Sequence, residues 1–201
     1  MRTLLTFAIA LLGALTAGAA PAAPLAYQVD PAHTRVHWEV RHFGTSTQRG
    51  RFGQVEARIV LDRAAQRGEL AVTIDTRVVD SGVAPLDGML RGSAFLAAQQ
   101  HPQAYFVASA LEFDGEQLTG ARGEFTLRGV SRPLTLRALR FACLQEAARE
   151  VCGGDFEAEF LRSDHGITFG LPFVGDKVRL LIQVEAARAT GLQPPPGTPN
   201  A

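Results

Sequence analysis

The sequence carries no excess charge of either sign, since Lys plus Arg and Asp plus Glu number 20 each. A chain without a net field has little to draw a polynucleotide toward it, and no nucleic-acid partner is expected. It also lacks the glycine patterns of phosphate and acyl-transfer sites. There is no G-x-x-x-x-G-K loop to cradle a nucleotide and no G-x-S-x-G elbow to present a nucleophile; apart from the Gly153-Gly154 pair the glycines stand singly. Ser163, Asp164 and His165 contain the letters of a hydrolase triad, yet three consecutive side chains cannot converge on one substrate atom. No cofactor is implied. Cysteine is scarce: Cys143 and Cys152 are the only two, and their C-x8-C spacing lacks the close approach of a C-x-x-C redox motif.

What is present begins with a short basic start, Met1 and Arg2, and an apolar run from Leu4 to Leu15. The run is short for a bilayer span. Small-residue triplets follow it, Ala17-Gly18-Ala19 and Ala20-Pro21-Ala22, so residues 1–22 read as a cleaved signal peptide rather than as an uncleaved anchor. No cysteine lies in this segment to accept a lipid. A periplasmic protein is expected, and an oxidising compartment permits Cys143 and Cys152 to pair. The ten-residue loop so closed would add roughly 2.5 to 3 kcal/mol in the chain-entropy picture; a redox-active or metal-binding pair is the alternative. Residues 190–201, rich in proline and without apolar periodicity, read as a disordered tail. One domain over residues 23–189 remains, large enough for a substantial core.

Within that domain apolar and polar residues alternate with period two. Val36, Trp38 and Val40 share one face of a strand over Thr34 to Arg41, and strands are expected over Gln54 to Asp62 and Glu69 to Asp75. Further strands are expected over Tyr105 to Phe113, Gln117 to Leu127, Arg132 to Phe141, Asp155 to Leu161 and Lys177 to Ala187, with Asp114-Gly115 as a hairpin turn. Between Val83 and Pro102 the rhythm breaks: Leu86, Met89 and Leu90 recur at helical spacing and Ala94 to Gln100 suits a helix, so one or two short helices are expected there. The fold class is therefore all-β, an eight-stranded antiparallel barrel with a helical insertion, since closure removes the exposed edges. A β-sandwich satisfies the same periodicity. Eight strands leave an interior just wide enough to be filled by side chains or to hold one slender ligand.

The histidines do not assemble into a metal site on this pattern. His33 and His37 lie four apart on extended chain, about 13 Å, too far for one ion with nitrogen bonds of about 2 Å; no metal is expected. Trp38 and the eleven phenylalanines from Phe43 to Phe173 are spread over nearly every element and are ordinary barrel filling in themselves.

Several motifs taken in order give the pattern a family. Tyr27-Gln28-Val29-Asp30-Pro31-Ala32-His33-Thr34 is similar to an opening Y-x-hydrophobic-D-x-x-H-S, followed by Val36-His37-Trp38, Arg41-His42-Phe43-Gly44 and Gly50-Arg51-Phe52. Thr126-Leu127-Arg128-Gly129-Val130-Ser131-Arg132-Pro133-Leu134 and Leu161-Arg162-Ser163-Asp164-His165-Gly166 complete the series. Together they resemble the YceI-like family of polyisoprenoid-binding domains over residues 26–188. The resemblance implies a lipocalin-like barrel with a tunnel for an amphiphile bearing a long isoprenoid or fatty chain, such as an isoprenoid quinone or polyprenyl phosphate. Two departures stand out: Leu86-Asp87-Gly88-Met89-Leu90 replaces a typical R-D-x-H-L, and His165 replaces an aromatic.

The expected ligand-binding residues are Trp38, Val40, Phe106, Phe125 and Leu136 as lining, Leu90 and Phe95 near a helical lid, and Arg41 and His42 at a polar mouth. The expected function is binding, transport or sequestration of the lipid rather than catalysis. The alternatives are a packed barrel acting through its surface on a membrane redox protein, and an enzyme with a hydrophobic substrate. A transient membrane contact and a homodimer are left open by the sequence.

Overall fold

The computed structural model describes residues 24–147 and 149–189; the expected signal peptide and tail lie outside the described residues. Eleven strand segments follow in chain order: β1 Leu25–Val29, β2 Arg35–His42, β3 Ser46–Phe52, β4 Val55–Asp62, β5 Arg67–Asp75, β6 Val79–Asp80, β7 Gln103–Asp114, β8 Gln117–Leu127, β9 Val130–Glu146, β10 Arg149–Leu161 and β11 Val174–Arg188. All their pairings are antiparallel. β1 pairs with β4 while β2 pairs with β3, so the first two segments are one interrupted stave and the next two a second. In the same way β5 lies on β4 and β6 on β3, making a third.

With β7 to β11 the staves number eight, each lying beside its neighbour in sequence. The ring closes through β11, which pairs with β1 over Ala186–Arg188 and with β2 over Val174–Gln183. The architecture is thus an up-and-down barrel without a long free edge, which is what the alternating sequence requires of a sheet this size.

The interruption in the first stave has a local cause. Asp30 accepts from the Ala32 amide at 2.7 Å and from His33 Nδ1 at 2.8 Å, an Asx-type turn that competes with the sheet ladder. Bulges between Ala108 and Ala110, between Glu112 and Phe113 and between Asp155 and Phe156 then shift which parity faces inward. On β8 the buried row moves from Leu118 to Ala121, Phe125 and Leu127 for this reason.

Two expected features come out differently. β1 and β3 carry no apolar alternation long enough to announce them, and β3, STQRGRF, is polar on both faces. Of the one or two short helices expected over Val83 to Pro102, the structure holds one. α1, Ala84–Arg91, starts with proline in its first turn, where the missing amide costs nothing, and stops at Gly92. Ala94 to Gln100 is a run of turns instead, with Ala97 at φ +48° preventing a second helix.

The core divides along the barrel axis. The larger cluster includes Val36, Trp38, Ile74, Phe106, Phe125, Leu136 and Leu180, and the smaller comprises Tyr27, Leu61, Cys152 and Ala186. We call the end with the small cluster lower and the end with α1 upper. Outside, Arg137, Glu157, Arg179, Glu39 and Arg49 form a chain of ion pairs across five staves' segments, from β9 to β3.

Candidate ligand-binding site

Because β2 and β11 alternate strictly, Val36, Trp38 and Val40 from one and Leu180, Ile182, Val184 and Ala186 from the other point into the barrel. They do not fill it. The lower chamber holds about 1060 Å3 of atom-free space, its mouth included, among residues such as Val36, Val72, Phe106, Leu118, Leu136, Phe141 and Phe156. The upper chamber holds about 750 Å3 counted in the same way and is lined by Trp38, Val40, Phe52, Leu90, Phe95, Leu127, Phe160 and Val178, among others. Ile74, Phe125 and Leu180 line both, so the two chambers lie end to end and meet at a waist formed by these three side chains.

The lower end carries the small cluster and a polar clasp beside it. Tyr27 Oη donates to Glu150, whose other oxygen accepts from Arg63 Nη2 at 2.8 Å. Burial first, and then the hydrogen bond to Glu150, push the Tyr27 phenol up to about 12. Cys143 and Cys152 face each other across β9 and β10 and are joined in a disulfide, with Cys152 in the chamber wall. The upper end is covered more lightly, because none of α1's residues is buried although Leu90 reaches the chamber.

Among the described residues one charged side chain lines the chambers, and sequence reasoning assigned it no role. Arg162, only 4% exposed, stands in the short 3-10 turn Arg162–His165 that follows β10. Its guanidinium donates to four carbonyls, those of Gly175 (2.8 Å), Ile167 (3.0 Å), Phe169 (2.9 Å) and Val174 (2.8 Å). Burial draws its pKa below the ordinary arginine value, opposed by Asp176. The planar fork of donors thus pins the loop between β10 and β11 to the barrel rim. Its signal in the sequence was its place in the Leu161–Gly166 motif, not its residue type.

His165 follows in the same turn and is 1% exposed, with Nδ1 2.9 Å from the Val130 carbonyl oxygen. Its ring meets Phe125 and Phe160 edge-on, and Nε2 has no partner among the described residues. Burial holds its pKa below the ordinary histidine value, chiefly by desolvation.

The expected lining residues divide between the chambers: Trp38, Val40, Leu90 and Phe95 line the upper, Phe106 and Leu136 the lower, and Phe125 both. The expected polar mouth is not where it was placed. Arg41 has the outward parity of β2 and donates to the Gly44 carbonyl at 2.9 Å, while His42 is exposed at the hairpin tip, edge-on to Phe43. Neither lines the tunnel.

The sequence matches the YceI-like domain over residues 27–186. The chain belongs to the YceI-like family. It is 32% identical over 193 residues to Protein YceI of Salmonella arizonae, covering 93% of this chain and 98% of that one. Among solved structures, the YceI-like barrel is similar to Burkholderia cenocepacia BcnA with a TM-score of 0.66 at 23% identity, covering 78% of this chain and 98% of that chain. A polyisoprenoid binding domain from Saccharophagus degradans, implicated in plant cell wall breakdown, matches with a TM-score of 0.61 at 16% identity, covering 82% and 99% of the two chains. In this YceI-like chain the departing segment Leu86-Asp87-Gly88-Met89-Leu90 lies in α1. Leu90 turns inward, Met89 is 52% exposed, and Asp87 accepts from the Ser81 hydroxyl at 2.6 Å.

Proposed function

We propose that this YceI-like barrel binds one long isoprenoid lipid, an isoprenoid quinone or a polyprenyl phosphate, along its two joined chambers, and carries or sequesters it in the periplasm. The observation that carries the reading is the pair of apolar chambers set end to end inside the barrel, with Ile74, Phe125 and Leu180 in the lining of both. From Val174 to Ala186 the inward row of β11 covers roughly 40 Å of strand, or about 30 Å along an axis inclined as barrel strands are. That length equals the hydrocarbon thickness of a whole bilayer, about 30 Å, whereas an ordinary acyl chain crosses about half of it. The tunnel therefore suits a chain longer than a fatty acid. Apolar burial at about 25 cal/mol per Å2 supplies the affinity with few polar contacts.

Catalysis finds little support in the lining. Its titratable groups among the described residues are Arg162 and a tyrosine held at about 12, with Cys152 in a disulfide, so none exchanges a proton near neutral pH. Similarity to a polyisoprenoid binding domain supports the same choice of ligand.

The test is native purification from the periplasm without detergent, followed by organic extraction and mass spectrometry. A stoichiometric isoprenoid lipid, lost when Phe106 or Trp38 is replaced by a charged residue in a folded variant, is the expected result. An empty extract from folded protein that also fails to take up added quinones or polyprenyl lipids overturns the reading.

A further inference from the structure

Among the described residues, the three phenylalanines that face solvent are gathered at the upper end, where folding gives no reason for them. Phe43, Phe169 and Phe173 are 61%, 56% and 63% exposed. Phe43 and Phe173 stack at 5.8 Å and are tied by the Phe43 amide donating to the Phe173 carbonyl at 2.7 Å. Phe169 lies edge-on to Phe95, which lines the upper chamber, at 5.5 Å. The loop bearing Phe169 and Phe173 is the one that Arg162 holds against that chamber. An apolar rim therefore continues the apolar wall of the tunnel outward into solvent.

Phe43 is the clearest case. It sits at the β2–β3 tip with φ +49°, a left-handed conformation that asparagine or glycine takes readily and a bulky side chain does not. Neither burial nor backbone preference selects phenylalanine there, and its aromatic contacts within the fold, to Phe173 and His42, leave most of the ring in solvent.

We infer that this rim inserts into the surface of a phospholipid bilayer, so that the tunnel opens onto the phase from which its apolar ligand comes. The inference rests on the lipid-binding reading above. Area argues for lipid over a second copy of the chain: three partly exposed rings, each with at most about 150–250 Å2 to bury, fall short of the roughly 800 Å2 per partner of a stable interface. Charge agrees in sign. Arg41, Arg128 and Arg162 give their guanidiniums to backbone carbonyls rather than to carboxylates, against two acidic neighbours, Asp164 and Asp176, the latter engaged by Ser163. The rim is weakly cationic, so the rings supply most of the attraction and anionic head groups add to it.

Vesicle flotation of the full mature chain tests this, using a zwitterionic phospholipid alone and mixed with an anionic one. Wild type is expected to float with both, more with the mixture. F43N and F173S are each expected to weaken binding about tenfold, the worth of one partly buried phenyl ring, while L144S, at a 65% exposed site on the barrel wall, leaves it unchanged. Because asparagine suits the backbone at position 43, F43N should melt at or above the wild-type temperature, which separates lost docking from lost folding. Wild type that stays unbound, or a double F43N F173S variant that floats as L144S does, overturns the inference. So does a concentration-dependent dimer that the double variant abolishes, which would make the rim a contact between copies. Organic extracts of the same preparations keep the two readings apart: a full extract without flotation overturns docking alone, whereas flotation with an empty extract overturns lipid binding and leaves docking standing.

Discussion

Replacing Arg162 by methionine should destabilise the ligand-free protein by about 4 kcal/mol. Four carbonyls accept from its guanidinium within 3.0 Å, and the side chain is 4% exposed. A buried carbonyl left without a partner costs about 1–3 kcal/mol, so four at the lower bound give about 4 kcal/mol. Relief of the arginine's own desolvation keeps the loss from rising further. Lysine should recover less than half, since a single ammonium cannot reproduce a planar fork that spans carbonyls of Gly175, Val174, Phe169 and Ile167. The assay is urea unfolding followed through the fluorescence of Trp38, the one tryptophan, which lines the same chamber. With a slope of about 2 kcal/mol per molar urea, the midpoint should fall by about 2 M. A shift below about 0.5 M, or full rescue by R162K, would refute the claim that this fork anchors the loop. Ligand must be removed first, because a bound lipid raises the apparent stability by mass action.

Three further outcomes follow from other parts of the barrel. A57F projects a ring into the lower chamber and should cut co-purified lipid to about a tenth without loss of stability; unchanged lipid would place the chain elsewhere. Burial holds His165 below its ordinary pKa, so as pH falls below 6.5 the unfolded chain takes up a proton that the folded chain refuses, and stability falls with pH. H165F should therefore lose less melting temperature than wild type between neutral and mildly acidic pH, and parallel curves would sink this account. Removing the disulfide with C143S C152S should cost roughly 2.5 to 3 kcal/mol by loop entropy, read from the urea midpoint, and a cost under about 1 would contradict it.

Much of the fold was legible because a half-buried strand repeats every two residues. β2, with Val36, Trp38 and Val40, and β11, with its five-residue apolar row, announced both their type and their inward face. β3 was silent because its contribution to the core is an absence: a Cβ at Gly50 would stand 2.3 Å from Trp38 Cζ2, so the indole packs onto bare backbone there. The bulges hid parity further along, since Phe141 joins Leu136 in the same chamber despite an odd spacing. The lining residues could be chosen from alternation, but the polar anchor could not. Arg41 and His42 looked suitable because they end an inward strand, whereas the arginine that reaches the tunnel comes from a turn whose side-chain direction no periodicity encodes.

The pairing of β11 with both β1 and β2 fixes when the barrel becomes a container. Thr34 and Glu185, which meet at this seam, are separated by 151 residues, and no local contact substitutes for them. Until β11 emerges, seven staves form an open, curved sheet whose apolar inner face is exposed. Such long-range closure is slow compared with hairpin formation, and the interval is one in which the nascent sheet is prone to association. A chain cut before Val174 would retain every hairpin up to β10 and still enclose nothing, so the capacity to hold a lipid arises in a single late step of folding rather than by degrees.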